Sequence, residues 1–180
     1  MVKNSSNKRT SINDVHSQKL RLHYGTLNLQ IVKHINNTRI ALLKDGKNVV
    51  CTLAITVFST ETYSENLQKI DKLVKNGGFI GESIMQSSFD MVKTALITFK
   101  LFSSEFPFFP DANMLQGQVY ELFVRSESLK DEFYAEVCEI YTPDFPIKFD
   151  EHFFPGCTET TIAKVNKLLG YAGFKNYNLQ

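Results

Sequence analysis

From Leu27 onward, apolar residues recur at every second position in one segment after another, and that period suits a pleated strand with two distinct faces rather than a helix. Leu27, Leu29 and Ile31 alternate with Asn28 and Gln30, while Val49, Cys51, Leu53, Ile55 and Val57 alternate with smaller or polar residues. Turn chemistry separates the runs. Asn36-Asn37 precedes the apolar stretch Arg39 to Lys44, and Asp45-Gly46 after it suits a tight hairpin. Three consecutive antiparallel strands follow. Ala95, Ile97, Phe99 and Leu101 alternate with Thr94, Thr98 and Lys100, which reads as a fourth strand, although the length also permits a helix. Gln118 to Arg125 and Glu132 to Tyr141, joined by the polar stretch Ser126 to Asp131, predict a closing hairpin of strands five and six.

Helical spacing occupies the remainder. Ser11 to Tyr24 carries Ile12, Val15 and Leu22 at loosely helical intervals, with Gly25 where a helix would stop. Tyr63 to Lys75 sets Leu67, Ile70, Leu73 and Val74 on one face, and Gly77-Gly78 lies beyond its end. Thr158 is a candidate N-cap for a last helix whose buried stripe is Ile162, Val165, Leu168 and Leu169, with Gly170 as the stop. The expected fold class is α+β: an antiparallel sheet of about six strands with helices packed on one side. At 180 residues and 43% hydrophobic, the chain fills one core and is short for two domains and a linker. We therefore expect a flexible tail over residues 1–11 and a single domain over 12–180.

Twenty basic residues against nineteen acidic ones give a formal charge of +1, so no global field draws the chain onto nucleic acid or an anionic membrane. Charged residues interrupt every apolar segment before the roughly 20 residues that a membrane span requires. Residues 1–11 lack the apolar run of a signal peptide. Cys51, Cys138 and Cys157 contain no Cys-x-x-Cys pair and His16, His23, His34 and His152 no metal-binding spacing, which argues against a disulfide framework and a zinc site. The expectation is a cytoplasmic protein with no metal, no nucleic-acid partner and no membrane span; oligomeric state is not legible.

Candidate chemistry begins with Glu139. The period that aligns Phe133, Ala135 and Val137 carries Glu139 and Tyr141 onto the same apolar face. A buried carboxylate needs a partner, because desolvating the charge costs several kcal/mol. Of the four arginines Arg9, Arg21, Arg39 and Arg125, the last two lie at or within expected strands, and either could meet Glu139 or a ligand. A structural ion pair, or a register that leaves Glu139 in water, competes with this reading. The segment Phe106-Pro107-Phe108-Phe109-Pro110 cannot hold a regular element yet carries three large rings. Phe106, Phe108 and Phe109 are therefore either a lid over an apolar pocket or a plug at the edge of the core.

Arg39 through Leu43 before Asp45-Gly46, then Phe79-Ile80-Gly81 after an intervening helix, then Glu139-Ile140-Tyr141-Thr142-Pro143 ending the last strand, resemble the chorismate lyase-like family over roughly residues 16–146. The resemblance implies that Arg39 binds substrate, that Ile80, with the adjacent Gly81, lines the pocket and that Glu139 is the active-site glutamate; Arg125, from its place in an expected strand, is a further candidate for binding. It also implies a reaction needing no cofactor: elimination of pyruvate from chorismate to leave 4-hydroxybenzoate, a step toward ubiquinone. A glutamate with its pKa raised by burial could assist protonation. The chain departs from the family pattern at Ala54 to Phe58, where a second arginine and a proline are absent, in the longer Phe-Pro segment, and in the helix after the glutamate strand. The expected partner is a small anionic aromatic or cyclohexadiene ligand. The alternative to a lyase is a non-catalytic domain of the same fold that binds an aromatic carboxylate or another protein.

Overall fold

The structure, a computed structural model, describes residues 15–125, 130–145, 159–175 and 177–179. Helix α1 (His16–Tyr24) leads into β1 (Leu27–Ile35), β2 (Thr38–Asp45) and β3 (Val50–Phe58); α2 (Glu65–Lys75) and α3 (Ile80–Gln86) precede β4 (Asp90–Phe102), β5 (Met114–Arg125) and β6 (Asp131–Tyr141); α4 (Glu159–Tyr171) and the short β7 (Asn178–Leu179) follow. All seven strands form one antiparallel sheet in the order β1-β2-β3-β6-β5-β4-β7. The fold is α+β, as the change of period predicts. The expected tail and the Thr158 cap lie outside the described residues.

Local chemistry accounts for the elements. The Asp45 carboxylate accepts from the backbone N–H groups of Lys47 and Val49 at 2.9 and 2.8 Å, and Asn48 takes φ 68°, which closes the β2–β3 turn. Ser64 caps α2 by accepting from Leu67 N–H, with Glu65 in the first turn and Lys72 and Lys75 in the last. Leu67, Ile70 and Val74 are buried, but Leu73 is 44% exposed. Its place in the expected stripe is corrected: the buried face of α2 is completed by Asp71.

The two sheet faces carry different loads. Ile40, Leu42, Leu53, Ile55, Cys138 and Ile140 point to one face, where Val165, Leu168 and Leu169 of α4 cover them. Arg39, Ala41, Leu43, Ala54, Thr56, Val137 and Glu139 point to the other, beneath α1, α2 and α3. The expectation of helices on one side is therefore corrected. The central strands are apolar on both faces, so each face needs its own cover. Lys164 of α4 ties this arrangement together, reaching Glu136 at 2.6 Å and Glu121 at 3.2 Å, two carboxylates that sit directly opposite each other on β6 and β5.

The Phe-Pro rings belong to the α4 face. Phe106 and Phe109 are buried with Phe99, Leu115 and Phe174, and Phe108, partly buried against them, adopts φ 70°. Among the expected alternatives this is the plug. A non-glycine φ of that kind is strained, and ring burial on either side of Phe108 offsets it.

Candidate functional site

A cavity of about 60 Å³ lies between the pocket face of the sheet and helices α1 and α3. Its floor comes from pairing: Ala41 on β2 stands opposite Ala54 on β3, between the larger pairs Arg39–Thr56 and Leu43–Thr52. Two small side chains facing each other leave a depression that the flanking rows do not fill. The roof is α1 and the start of α3. Val15 packs against Gly81, where a Cβ would stand 2.6 Å from Val15 Cγ1, so glycine is what lets the two helices close. Arg21 pairs with Glu82 and lies 4.9 Å from the centre of the Phe79 ring, holding α1 to α3. The space holds a few waters and is smaller than the roughly 150 Å³ that accommodates a benzene ring. A ring is admitted only with an outward shift of this roof.

Glu139 is buried at 6% exposure and accepts three side-chain hydrogen bonds, from Gln118 Nε2 at 2.7 Å, Tyr141 Oη at 2.8 Å and Tyr120 Oη at 3.1 Å. Burial alone would raise its pKa, but the positive charge of His16, which it carries only in acid, then that of Lys93 and the donors from Gln118 and Tyr141 outweigh burial and hold it at about 2. The expected raised pKa is therefore corrected. The same carboxylate, together with burial, pushes the phenols of Tyr120 and Tyr141 well above their ordinary range. Glu139 is an ionised acceptor at pH 7, not a stored proton.

His16, at the first position of α1, is half-buried against Tyr141 and Phe145, and its Nε2 lies 2.9 Å from Thr52 Oγ1. Burial lowers its pKa to about 4 against the opposing pull of Glu139. With His16 neutral, the positive charge that steadies Glu139 at pH 7 is the Lys93 ammonium, which sits 4.0 Å from the centre of the Tyr120 ring.

Arg39 is 3% exposed. Its Nη1 donates to the carbonyls of Val74 and Gly78 at 3.1 and 3.2 Å, at the C-terminus of α2, and its guanidinium carbon lies 5.8 Å from the centre of the Phe58 ring. Burial lowers its pKa to about 10, which leaves it charged at pH 7. Its Nε is buried with no hydrogen-bond partner, as is Ser17 Oγ in the roof. Both residues line the cavity.

The structure thus brings Arg39, Ile80, Gly81 and Glu139 to one cavity. Arg125 is elsewhere, at the far end of β5, bidentate to Asp131 at 2.5 and 2.9 Å. Phe106, Phe108 and Phe109 pack on the opposite face of the sheet, so their role as a lid is corrected. Sequence reasoning missed His16, Ser17, Lys93 and Tyr120. For Lys93 the reason is a bulge: between Thr94 and Ile97, β4 spends one residue more than β5, with Ala95 at φ 49°. Odd-numbered Met91 and Lys93 face the cavity before it, and odd-numbered Phe99 and Leu101 face α4 after it. A single alternation cannot describe that strand.

Among the described residues no cluster of three or more His, Cys, Asp or Glu side chains could hold a metal ion, and no helix is long and apolar enough to cross a membrane. Comparison of the chain with protein-family models, with curated proteins and with solved structures finds no match.

Proposed function

We propose that the cavity binds a small cyclic carboxylate and that the chain is a chorismate lyase-like domain. The observation that supports this reading is convergence: Arg39 of β2, Ile80 and Gly81 of α3 and Glu139 of β6 line one cavity. Arg39 brings a permanent positive charge with a buried N–H to spare, Glu139 brings a fixed negative charge, and Leu29, Leu43, Phe79 and Met91 supply apolar walls for a ring.

In its enzymatic form, the domain eliminates pyruvate from chorismate. Arg39 would orient a carboxylate, and Glu139, ionised, would act on the ring proton as a base rather than deliver one. The non-catalytic form, a binding domain for an aromatic carboxylate, has an observation of its own in its favour. Both charged groups are heavily committed to the protein, Arg39 to two carbonyls and Glu139 to three donors.

The test mixes purified protein with chorismate and measures both binding heat and the release of 4-hydroxybenzoate and pyruvate. Products that vanish in Glu139→Gln assign the lyase. Binding of chorismate or 4-hydroxybenzoate without products assigns the binding domain, and absence of binding and products together ends the reading.

A further inference from the structure

The sheet ends differently at its two sides. At one side β4 is itself paired with β7, at Leu101 and Phe102. At the other, β1 pairs with β2, and among the described residues no strand pairs with its outer edge. That edge presents a row of backbone N–H and C=O groups that a further strand could meet. The start of β1 is covered, Leu27 in the core and Leu29 at the cavity, but every residue from Gln30 to Ile35 is exposed. Three of them are large and apolar: Ile31, Val32 and Ile35 are 37%, 43% and 52% exposed.

A hollow of about 250 Å³ opens beside this edge, on the sheet face that α4 covers. Lys33 stands opposite Ile40 and Ile35 opposite Thr38 across the β1–β2 pair, and all four line the hollow with Tyr171, the last residue of α4. Lys33 is the one charged side chain among the described residues of that lining, which contains no carboxylate. Among the described residues no acid pairs with it. A strand laid along β1 would run about 4.8 Å away. Its side chains opposite Lys33 and Ile35 would project toward the hollow.

Charge decides which strand fits. The exposed stretch of β1 contains Lys33 and His34 and no acid, so pairing with a second copy of the chain would bring two lysines to the interface and no carboxylate. The extra residue at Val32, between Ile31 and Lys33, also breaks the flat edge that self-pairing needs. The same lysine attracts a strand that sets a carboxylate opposite it.

We infer that the β1 edge takes up an extended acidic segment of another protein as an eighth strand of this seven-stranded sheet. A carboxylate of the segment lies opposite Lys33, and an apolar side chain opposite Ile35 enters the hollow against Ile40 and Tyr171. The added strand is antiparallel, like every pair already in the sheet. Running against β1, it therefore reads apolar residue, any residue, acidic residue. Main-chain hydrogen bonds supply affinity, and Lys33 and the hollow supply selectivity. The site lies on the other face of the sheet from Glu139 and is independent of what the cavity binds.

The probe is a blocked threonine heptapeptide with phenylalanine at its third position and glutamate at its fifth, titrated into the nitrogen-15-labelled chain. Amide shifts are expected over Gln30 to Ile35 and at Tyr171, and not along β4. Replacing the glutamate by lysine should weaken binding about fivefold, and Lys33→Glu should reverse that order. Replacing the phenylalanine by threonine should weaken it about tenfold, a margin that Tyr171→Ala reduces. Lys33 and Tyr171 are exposed, so both variants keep the fold. In an antiparallel pair only alternate residues turn their N–H toward the neighbouring strand. N-methylation of the peptide in one phase should therefore abolish binding and in the other leave it unchanged. Shifts confined to other elements, equal affinity of the two methylated peptides, or a charge preference that Lys33→Glu does not alter would overturn the inference. So would a dimer of the protein alone, seen in sedimentation and dissociated by Ile35→Asp, which would assign the edge to a second copy.

Discussion

Arg39 Nη1 donates to the Val74 carbonyl across 3.1 Å, so the arginine that lines the cavity also closes the C-terminus of α2. Its guanidinium adds a second donor to the Val74 carbonyl in the last turn, which also accepts from Gly77 N–H, and reaches the Gly78 carbonyl just beyond the helix, and its charge complements the negative end of the helix dipole. Arg39→Lys keeps the charge but replaces the guanidinium, whose Nη1 donates to both Val74 and Gly78 and whose carbon lies 5.8 Å from the centre of the Phe58 ring, with a differently shaped ammonium. The expected loss is about 1–3 kcal/mol of stability in urea unfolding, together with weaker carboxylate binding. A variant as stable as the native protein would show that the α2 contacts contribute nothing.

Glu139 holds three donors in the same buried space. Glu139→Ala strands two phenols and an amide, and the expected destabilisation is about 3–5 kcal/mol. Glu139→Gln retains shape and one acceptor and should lose roughly half as much. Chemical unfolding of the two variants side by side checks the order.

Acid should unfold this protein in two windows. His16 has its pKa lowered from 6.5 to about 4, so between those values the unfolded chain takes up a proton that the folded one refuses, and stability falls as pH drops. Glu139 is lowered from 4.5 to about 2; its contribution is complete above 4.5 and is lost as pH falls through the lower value. Urea midpoints measured from pH 7 to pH 4 should decline in the native protein and decline less in His16→Asn. Identical slopes would remove His16 from the explanation.

Phe109 is buried among the α4-face residues, remote from the cavity face. Phe109→Ala is expected to cost about 3–5 kcal/mol of stability and to leave ligand affinity unchanged at temperatures where the variant is folded. A changed affinity with native stability would restore the lid that the fold argues against.

Gly81→Ala places a Cβ 2.6 Å from Val15 Cγ1 and forces the start of α1 away from α3. The expected cost is about 1–3 kcal/mol, and amide exchange in α1 should quicken while exchange in β3 and β6 stays slow. Unchanged α1 exchange would mean that the roof is not held at this contact.

The alternation of apolar residues, the turn residues and the Ser64 cap are local properties, and they were sufficient to determine an antiparallel sheet, the hairpins on either side of it and the amphipathic α2. Glu139 was legible for the same reason: a carboxylate in phase with Val137 and Ala135 must share their face, whatever the rest of the chain does. Three other matters were decided only in the tertiary structure. Which sheet face α4 and the Phe-Pro rings would cover could not be read, because β2, β3 and β6 are apolar on both faces and alternation carries no label for the side. Arg39 and Arg125 were equivalent in sequence, and strand order separated them: β2 delivers Arg39 to the centre beneath α2, whereas Arg125 ends β5 beside Asp131. Lys93 entered the cavity through one extra residue in β4, and Ala41 came to oppose Ala54 through pairing register. Such facts reside in hydrogen-bond partners distant along the chain, which no short window of sequence contains.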